Sequence, residues 1–244
     1  GLDPAFCTRE AGALPLLYFG LFAQREEVAD RGEGGDYELG ELRASISQEQ
    51  YHADVERIRT YIAAGDTCQV NYTMRLQGRF AGDARALYRT MGQRQQAGYS
   101  AYFDLRQHVL VSASPELFFQ IAGRQCSTRP MKGTMSRGRW SAEDLQQAEK
   151  LQRSPKDRAE NVMVTDLLRN DIGRISEVGS VAVPALWTTE RYPTLWQLTS
   201  TVSSILRAGV GLADVFTALF PCGSITGAPK IRTMQIIAEL EHEP

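Results

Sequence analysis

The most regular alternation of apolar and polar residues begins just after Ser47. Apolar side chains recur there every three or four positions, at Tyr51, Val55, Ile58 and Ile62. This spacing places them on one face of a helix, and a serine before the first turn can accept a hydrogen bond from a free backbone N–H. The pattern therefore predicts a helix that Ser47 caps and that ends near Ala64.

Helical spacing predicts further helices toward the C-terminal end of the chain. They cover residues 142–152, 156–169, 194–207 and 212–220, followed by a last helix that begins at Pro229. The last helix is expected to bury a face formed by Ile231, Met234, Ile237 and Leu240. The sequence stops soon after this helix, at residue 244, which favours a fragment of a longer polypeptide.

Runs rich in aromatic and β-branched residues predict strands. They cover residues 14–22, 68–76, 99–105, 108–112, 117–122, 125–128, 180–184 and 186–190. Turn residues separate the four runs from 99 to 128, as in an antiparallel meander. Strands and helices cluster without regular alternation, which favours an α+β fold over a doubly wound parallel sheet. The charged, glycine-containing segment 24–41 is expected to be a mobile surface loop.

Composition narrows the class of protein. With 43% hydrophobic and 23% charged residues, the chain is typical of a globular domain. Its net charge of -2 argues against the broad basic surface that binds nucleic acid. No apolar run reaches the roughly 20 residues of a membrane helix. The four cysteines form no C-x-x-C pair, which suits reduced thiols in a cytoplasmic protein. Neither nucleic acid nor a membrane is an expected partner.

Two short runs carry the candidate chemistry. Residues 127–134 read STRPMKGT, and they place the amine of Lys132 beside Gly133 and Thr134, small residues whose backbone can come close to a ligand. Residues 220–230 read FPCGSITGAPK, a glycine-rich turn in which Pro229 can open a helix. Together the two runs predict a site for a small anionic molecule.

These runs, together with residues 65–71, 114–116, 156–161 and 166–171, resemble those of the chorismate-utilising enzymes. The resemblance extends from about residue 64 to residue 241. It implies that residues 1–244 form part of one catalytic domain, in which two antiparallel β-sheets pack together with helices on the outside. The C-terminal part of that domain is expected to be absent from this chain.

The resemblance also implies an activity. Members with lysine at the position of Lys132 aminate chorismate at C4 through a covalent lysine intermediate, whereas members that make anthranilate, isochorismate or salicylate typically have alanine there. Water-using members have a lysine base at the position of Gln69, so ammonia is the expected nucleophile here. The implied partners are chorismate, ammonia and a glutamine amidotransferase subunit. An anthranilate-forming member and a non-catalytic module of the same fold are the alternatives.

The same resemblance assigns roles around the amine. Lys132 is the expected nucleophile, and Glu116 is the acid that protonates the departing hydroxyl. The backbone N–H groups of Gly133 and Thr134, with the Thr134 hydroxyl, are expected to hold a substrate carboxylate. An ordinary lysine has a pKa of about 10.4 and is charged at neutral pH, so burial or a nearby cation must lower the pKa of Lys132.

Further substrate contacts are expected from Ser224, Thr226 and Lys230. Glu160 matches a magnesium-binding glutamate, and the other Mg²⁺ ligands of the family lie beyond the segment that corresponds to this chain. Gln197 stands where many members have histidine, so an acid-base role is not expected there.

Each of these assignments has a structural alternative. Lys132 can be a solvated loop lysine, and Glu116 can cap a turn between strands or pair with Arg129. Glu160 can pair with a residue one helical turn away, while residues 223–229 can serve only to turn the chain.

Overall fold

The computed structural model of the protein describes residues 18–27 and 35–241. The helices are α1 (Gln48–Ala63), α2 (Ala84–Gln95), α3 (Ser141–Arg153), α4 (Pro155–Gly173), α5 (Leu212–Leu219), α6 (Gly223–Thr226) and α7 (Lys230–Leu240). The strands are β1 (Tyr37–Leu39), β2 (Arg43–Ala44), β3 (Gln69–Val70), β4 (Leu76–Gln77), β5 (Phe80–Gly82), β6 (Tyr99–Asp104), β7 (Val109–Ser114), β8 (Leu117–Ala122), β9 (Gln125–Arg129), β10 (Met131–Ser136), β11 (Ala182–Arg191), β12 (Leu195–Ile205) and β13 (Gly227–Ala228).

Strand β12 is the centre of the main sheet. It pairs with β11 along one edge and with β9 and β10 along the other, and β8 extends the sheet beyond β9. β9 and β10 both pair with the same side of β12 and are separated at Pro130, whose carbonyl accepts a hydrogen bond from the Ser200 N–H. Proline has no N–H of its own to donate, so the separation falls where the ladder would lose a donor in any case.

Helix α4 packs against β10 and β12. Pro155 occupies its first turn, and the Ser154 hydroxyl caps it by accepting a hydrogen bond from the Asp157 N–H at 3.3 Å. Val164, Leu168 and Ile172 of α4 are almost fully buried and form the main core with residues of α5 and the sheet. This core fixes the height of α4 above the two strands.

A second, smaller core joins α1 to α7. Ile58 packs with Ile236 and Leu240, and Tyr61, Val70 and Tyr72 border them. β13 pairs with β3, with Gly227 opposite Val70 and Ala228 opposite Gln69. The pairing brings the run 65–71 directly beside the glycine-rich run 220–230.

The predicted α+β class is confirmed. The described residues contain one five-stranded sheet and four two-stranded sheets, and every pairing among them is antiparallel. Helix α1 has the predicted bounds within one residue, and the Ser47 hydroxyl accepts a hydrogen bond from the Gln50 N–H at 3.2 Å. The helices predicted over 142–152, 156–169 and 212–220 are confirmed, as is the start of the last one after Pro229.

The helix predicted over 194–207 is wrong, because these residues form β12. Leu195, Leu198 and Val202 have helical spacing, but the strand is covered on both faces, so its apolar residues do not alternate cleanly with exposed ones. The runs 180–184 and 186–190 join into the single strand β11, which has two register shifts.

Three smaller expectations also change, and one helix was not expected. The run 68–76 contains only β3 and the first residue of β4, and the meander divides between β7 and β8 into separate sheets. The pattern missed α2, a polar helix with no buried residue.

The buried face of α7 also differs from the expected one. It is formed by Thr233, Ile236 and Leu240, and the Thr233 hydroxyl makes a 2.7 Å hydrogen bond with the Thr67 hydroxyl on that side. Ile231 is therefore exposed.

Two expectations lie partly outside the described residues. The strand predicted over 14–22 has no counterpart in residues 18–22, and residues 14–17 are not described. In segment 24–41, expected to be a loop, residues 37–39 form β1, which pairs with β5, while residues 28–34 are not described. Within the described ranges, no helix is both long and apolar enough to cross a membrane. The cysteines there, Cys68, Cys126 and Cys222, have free thiols.

Candidate functional site

A β-bulge in β10 presents Lys132. Met131 pairs with Thr199 and Thr134 pairs with Gln197, so three steps along β10 match two steps along β12. The additional residue lies in the Lys132–Gly133 pair. Bulges of this kind bend a strand and redirect its side chains, often beside active sites.

Gly133 allows the bulge to press against α4. Its φ of +101° is a conformation that residues with a side chain rarely adopt. A Cβ added there would lie 3.0 Å from the Asp157 Cβ and 3.2 Å from the Leu198 Cβ. The close approach expected at this glycine is therefore made to helix α4 and strand β12, and its role toward a substrate carboxylate stays a prediction.

Asn161 holds the bulge from the helix side. This residue of α4 is fully buried, and its Nδ2 donates hydrogen bonds to the carbonyl oxygens of Lys132 at 3.3 Å and Leu198 at 3.0 Å. Its Oδ1 accepts a hydrogen bond of 2.5 Å from the Ser200 hydroxyl. One amide thus pairs with the Lys132 carbonyl in the bulge and ties β10 to β12.

The Lys132 amine is half-buried, and its Nζ donates a hydrogen bond to Asn71 Oδ1 at 3.3 Å. Burial lowers the pKa of Lys132, while the nearby Glu116 and Glu160 carboxyl groups and, after them, the Cys222 thiol act in the opposite direction. A lowered pKa is what a nucleophilic amine requires at neutral pH. The alternative of a lysine solvated in a loop is wrong for Lys132, which lies in β10.

Glu116 lies between β7 and β8, and its Oε1 accepts a hydrogen bond of 2.5 Å from the Ser224 hydroxyl. Burial raises the pKa of Glu116, while the Ser224 hydroxyl and the Lys132 charge act in the opposite direction. A raised pKa suits a carboxyl that must donate a proton. Arg129, the alternative partner of Glu116, pairs instead with Glu190 at 3.1 Å.

A cavity of about 210 Å³ opens beside Glu116. Its lining is mostly apolar and comes from Ser114, Phe118, Phe220, Cys222, Ser224 and Ile225. The exposed side chains of Phe220 and Ile225 stand at this cavity. The carboxyl therefore faces a space in which charge is poorly solvated, consistent with its raised pKa.

Three other predicted contact residues have partners within the fold. The Thr134 hydroxyl donates to Gln197 Oε1 at 3.1 Å, and the buried Thr226 hydroxyl donates to the Cys222 carbonyl at 3.1 Å. Lys230 Nζ lies 2.8 Å from Asp171 Oδ2, with only 11% and 4% of the two side chains exposed. Thr226 stabilises its own turn and Lys230 joins α7 to α4, whereas Ser224 is brought to Glu116.

Glu160 contributes one carboxylate near Lys132. It lies on α4, acts on Lys132 electrostatically, and has its Oε1 3.9 Å from Lys156 Nζ one helical turn away. In residues 18–27 and 35–241 no group of three or more His, Cys, Asp or Glu residues could hold a metal ion. Glu160 as a metal ligand therefore stays a prediction.

Sequence reasoning missed the roles of Asn71 and Asn161. Asn71 is the last residue of the run 65–71, and Asn161 is the last residue of the run 156–161. The family resemblance rests partly on these two runs, but neither asparagine was assigned a function. Asparagine is unfavourable in the interior of a helix, so its presence within α4 was a signal that its side chain has a specific partner. The partners themselves lie on distant strands and could not be identified from spacing.

The chain is similar in sequence to proteins of one known family. A family model described as chorismate binding enzyme matches residues 22–244. Aminodeoxychorismate synthase component 1 of Klebsiella aerogenes is 45% identical over 199 residues, which are 82% of this chain and 44% of that protein. Anthranilate synthase component 1 of Thermus thermophilus is 43% identical over 200 residues, 82% of this chain and 43% of that protein.

Solved structures give the same family. Anthranilate synthase component I from Streptococcus pneumoniae superimposes with a TM-score of 0.77 at 31% identity, covering 84% of this chain and 45% of that structure. The chain thus spans less than half the length of the relatives that it matches.

Replacing Gly133 by alanine should destabilise the protein by about 1–3 kcal/mol, because the new side chain must take a strained φ and meet Asp157 and Leu198. Urea denaturation measures the change. Gly92→Ala is the matched control: Gly92 lies within α2 with open space around it, so alanine there should stabilise by about 0.5–1 kcal/mol. Equal effects at both glycines would contradict the strain at the bulge.

Replacing Glu116 by glutamine should raise the melting temperature at pH 7. The folded state raises the pKa of Glu116, so its stabilising contribution is present below the unfolded pKa and is lost as pH rises through the folded pKa. Glutamine cannot ionise, and it still accepts a hydrogen bond from Ser224.

Scanning calorimetry at pH 7 and pH 4 checks this expectation, since the gain should shrink at the lower pH. Glu149→Gln, on the exposed side of α3, is the control and should change the stability by no more than about 0.5 kcal/mol. A lower melting temperature for the Glu116 variant at pH 7 would show that its charge is not a cost to folding.

Proposed function

Because this chain belongs to the chorismate-binding enzymes, we propose that it is part of an aminodeoxychorismate synthase component 1. Such an enzyme replaces the 4-hydroxyl of chorismate by an amino group, on the route to 4-aminobenzoate and folate. The observation that carries the proposal is the Lys132 amine, half-buried on its bulge and acted on by the Glu116 carboxylate. Relatives of that name from Klebsiella aerogenes and Escherichia coli, 45% and 42% identical, support it.

The protonation of the two groups matches the chemistry. Lysine as ammonium with glutamate as carboxylate holds the same number of protons as neutral amine with neutral acid. Burial disfavours both charged forms, so it shifts this internal equilibrium toward the neutral pair. The neutral pair consists of a nucleophile and a general acid, which the first step needs together.

In the proposed reaction the Lys132 nitrogen forms a bond to C2 of chorismate. The ring double bonds shift, the bond from C4 to its hydroxyl breaks, and the Glu116 proton passes to the departing oxygen, which leaves as water. Ammonia then bonds to C4, the double bonds shift back, and the lysine nitrogen is expelled. The Glu116 carboxylate takes up the proton that ammonia releases.

The remaining assignments belong to the same proposal. The backbone of Gly133 and Thr134 would hold a substrate carboxylate, and Ser224 would position Glu116. Glu160 would provide one ligand of Mg²⁺, which screens the substrate's negative charge when bound, with further ligands from segments of the whole protein outside this chain. A glutamine amidotransferase subunit would supply ammonia, and the enzyme would work in the cytoplasm.

Anthranilate synthase component 1 is the second candidate. Relatives of that name are 43% identical in Thermus thermophilus and 39% in Aquifex aeolicus, close to the values for the first candidate. That activity also uses chorismate and ammonia, but it releases pyruvate. Lys132 favours amination, because a lysine nucleophile has no role in forming anthranilate by direct attack of ammonia.

The product distinguishes the two candidates. The complete natural protein, given chorismate, ammonium and magnesium, is expected to form aminodeoxychorismate without pyruvate, as resolved by chromatography. Glu116→Gln should slow this reaction about 100- to 10,000-fold, the usual contribution of a general acid, and Glu149→Gln should not. Anthranilate accompanied by pyruvate would overturn the assignment.

The covalent step has a separate readout. Without ammonia, the complete protein mixed with chorismate should gain the mass of chorismate less one water, and peptide mapping should place the gain on Lys132. Lys132→Ala should abolish the adduct, whereas Lys150→Ala, on the exposed end of α3, should retain it. An unmodified mass under conditions that support turnover would rule out the lysine intermediate.

A further inference from the structure

The orientation of the Asn71 amide is fixed by its surroundings. Its Nδ2 donates a 2.8 Å hydrogen bond to the Ser224 carbonyl, which can only accept, so the other amide atom facing Lys132 must be Oδ1. The Asn71 backbone N–H donates to the Thr226 carbonyl at 2.8 Å, and Gln69 Nε2 donates to the same Oδ1 at 3.1 Å. The acceptor that meets the lysine amine is therefore held by three neighbours.

Asn71 also joins the two groups of the proposed reaction. The amine contacts Asn71, Asn71 contacts the Ser224 carbonyl, and the Ser224 hydroxyl contacts Glu116. Three hydrogen bonds thus connect the nucleophile to the acid through two neutral residues.

We propose that Asn71 is a positioning residue for Lys132: its neutral amide oxygen holds the amine by one N–H and leaves the nitrogen lone pair free to face the substrate. This inference rests on the proposed function, because in that reaction the lone pair of the Lys132 nitrogen attacks C2 of chorismate. It assigns to Asn71 a part that neither the family resemblance nor the site chemistry had supplied.

The absence of charge on Asn71 is essential to this role. The groups that act on the amine are Glu116 from the β7–β8 connection, Glu160 from α4 and Cys222 at the start of α6. A carboxylate in place of the amide would put a negative charge at the position of Asn71 Oδ1, which lies 3.3 Å from Lys132 Nζ. An opposite charge this close raises a lysine pKa by about 1–3 units and would keep Lys132 as ammonium.

The test is competitive acetylation of the complete protein by a trace of acetic anhydride, which acetylates a lysine amine only in its neutral form. Within this chain the lysines are Lys132, Lys150, Lys156 and Lys230, so each can be followed by peptide mass spectrometry. In Asn71→Asp, Lys132 should be acetylated about 10- to 1000-fold more slowly at neutral pH relative to Lys150, and the midpoint of its pH profile should move upward.

Asn170→Asp is the matched control, since it adds the same charge at an exposed position of α4. It should leave the ratio of Lys132 to Lys150 labelling unchanged. An unchanged ratio in Asn71→Asp, or an equal fall in Asn170→Asp, would overturn the proposal.

Asn71→Leu separates orientation from charge, and it decides the matter if the aspartate variant does not fold. Leucine has nearly the shape of asparagine but offers no acceptor. Acetylation of Lys132 should not slow, whereas formation of the chorismate adduct should slow about 100-fold, because the amine is no longer aimed. Adduct formation at the wild-type rate would exclude a positioning role.

The two proposals fail in different ways. Acetylation needs no chorismate, so the aspartate experiment reports on Asn71 even if the protein forms no adduct. A missing adduct with an intact acetylation response would count against the proposed function alone.

Discussion

The buried amide of Asn161 is the interaction on which the site depends. A strand with one residue too many leaves backbone groups without ladder partners, and such groups are costly inside a protein. Asn161 donates to the Lys132 carbonyl in the bulge and to the Leu198 carbonyl of β12, and it accepts from Ser200, so one side chain links the irregular part of β10 to the central strand. The bulge then becomes a stable feature, and the lysine that it carries keeps a defined direction.

Two partly buried lysines show how this fold uses the same side chain for different purposes. Lys230 meets Asp171 directly at 2.8 Å and also donates to the Ala218 carbonyl, so its donors serve to join α7, α4 and α5. Among the described residues, the Lys132 amine donates one hydrogen bond, to the neutral amide oxygen of Asn71 at 3.3 Å, while Ser224 donates to the Glu116 carboxyl. The direct ion pair of Lys230 with Asp171 holds helices together. Lys132 is separated from the Glu116 carboxyl by the neutral Asn71 and Ser224, so its amine can lose its proton.

Sequence patterns located much of the architecture but not its exceptions. Helices with one polar and one apolar face, such as α1 and α3, were predictable because their spacing reflects one buried side. β12 was not, because cover on both faces removes the alternation that marks a strand, and Leu195, Leu198 and Val202 then imitate a helix. The motifs identified Lys132, Glu116 and Ser224, which the fold brings together. Thr226 and Lys230 have partners within the fold, the Cys222 carbonyl of the same turn for Thr226 and Asp171 of α4 for Lys230, and their contacts with a substrate stay predictions.

The site is assembled from segments that are distant in the sequence. Lys132 and Asn71 are 61 residues apart, Asn71 and Ser224 are 153 apart, and Ser224 and Glu116 are 108 apart. Contacts of such long range form only after most of the chain has collapsed. On a nascent or unfolded chain, Lys132 is therefore an ordinary solvated ammonium group, and its reactivity toward electrophiles arises only when folding is complete.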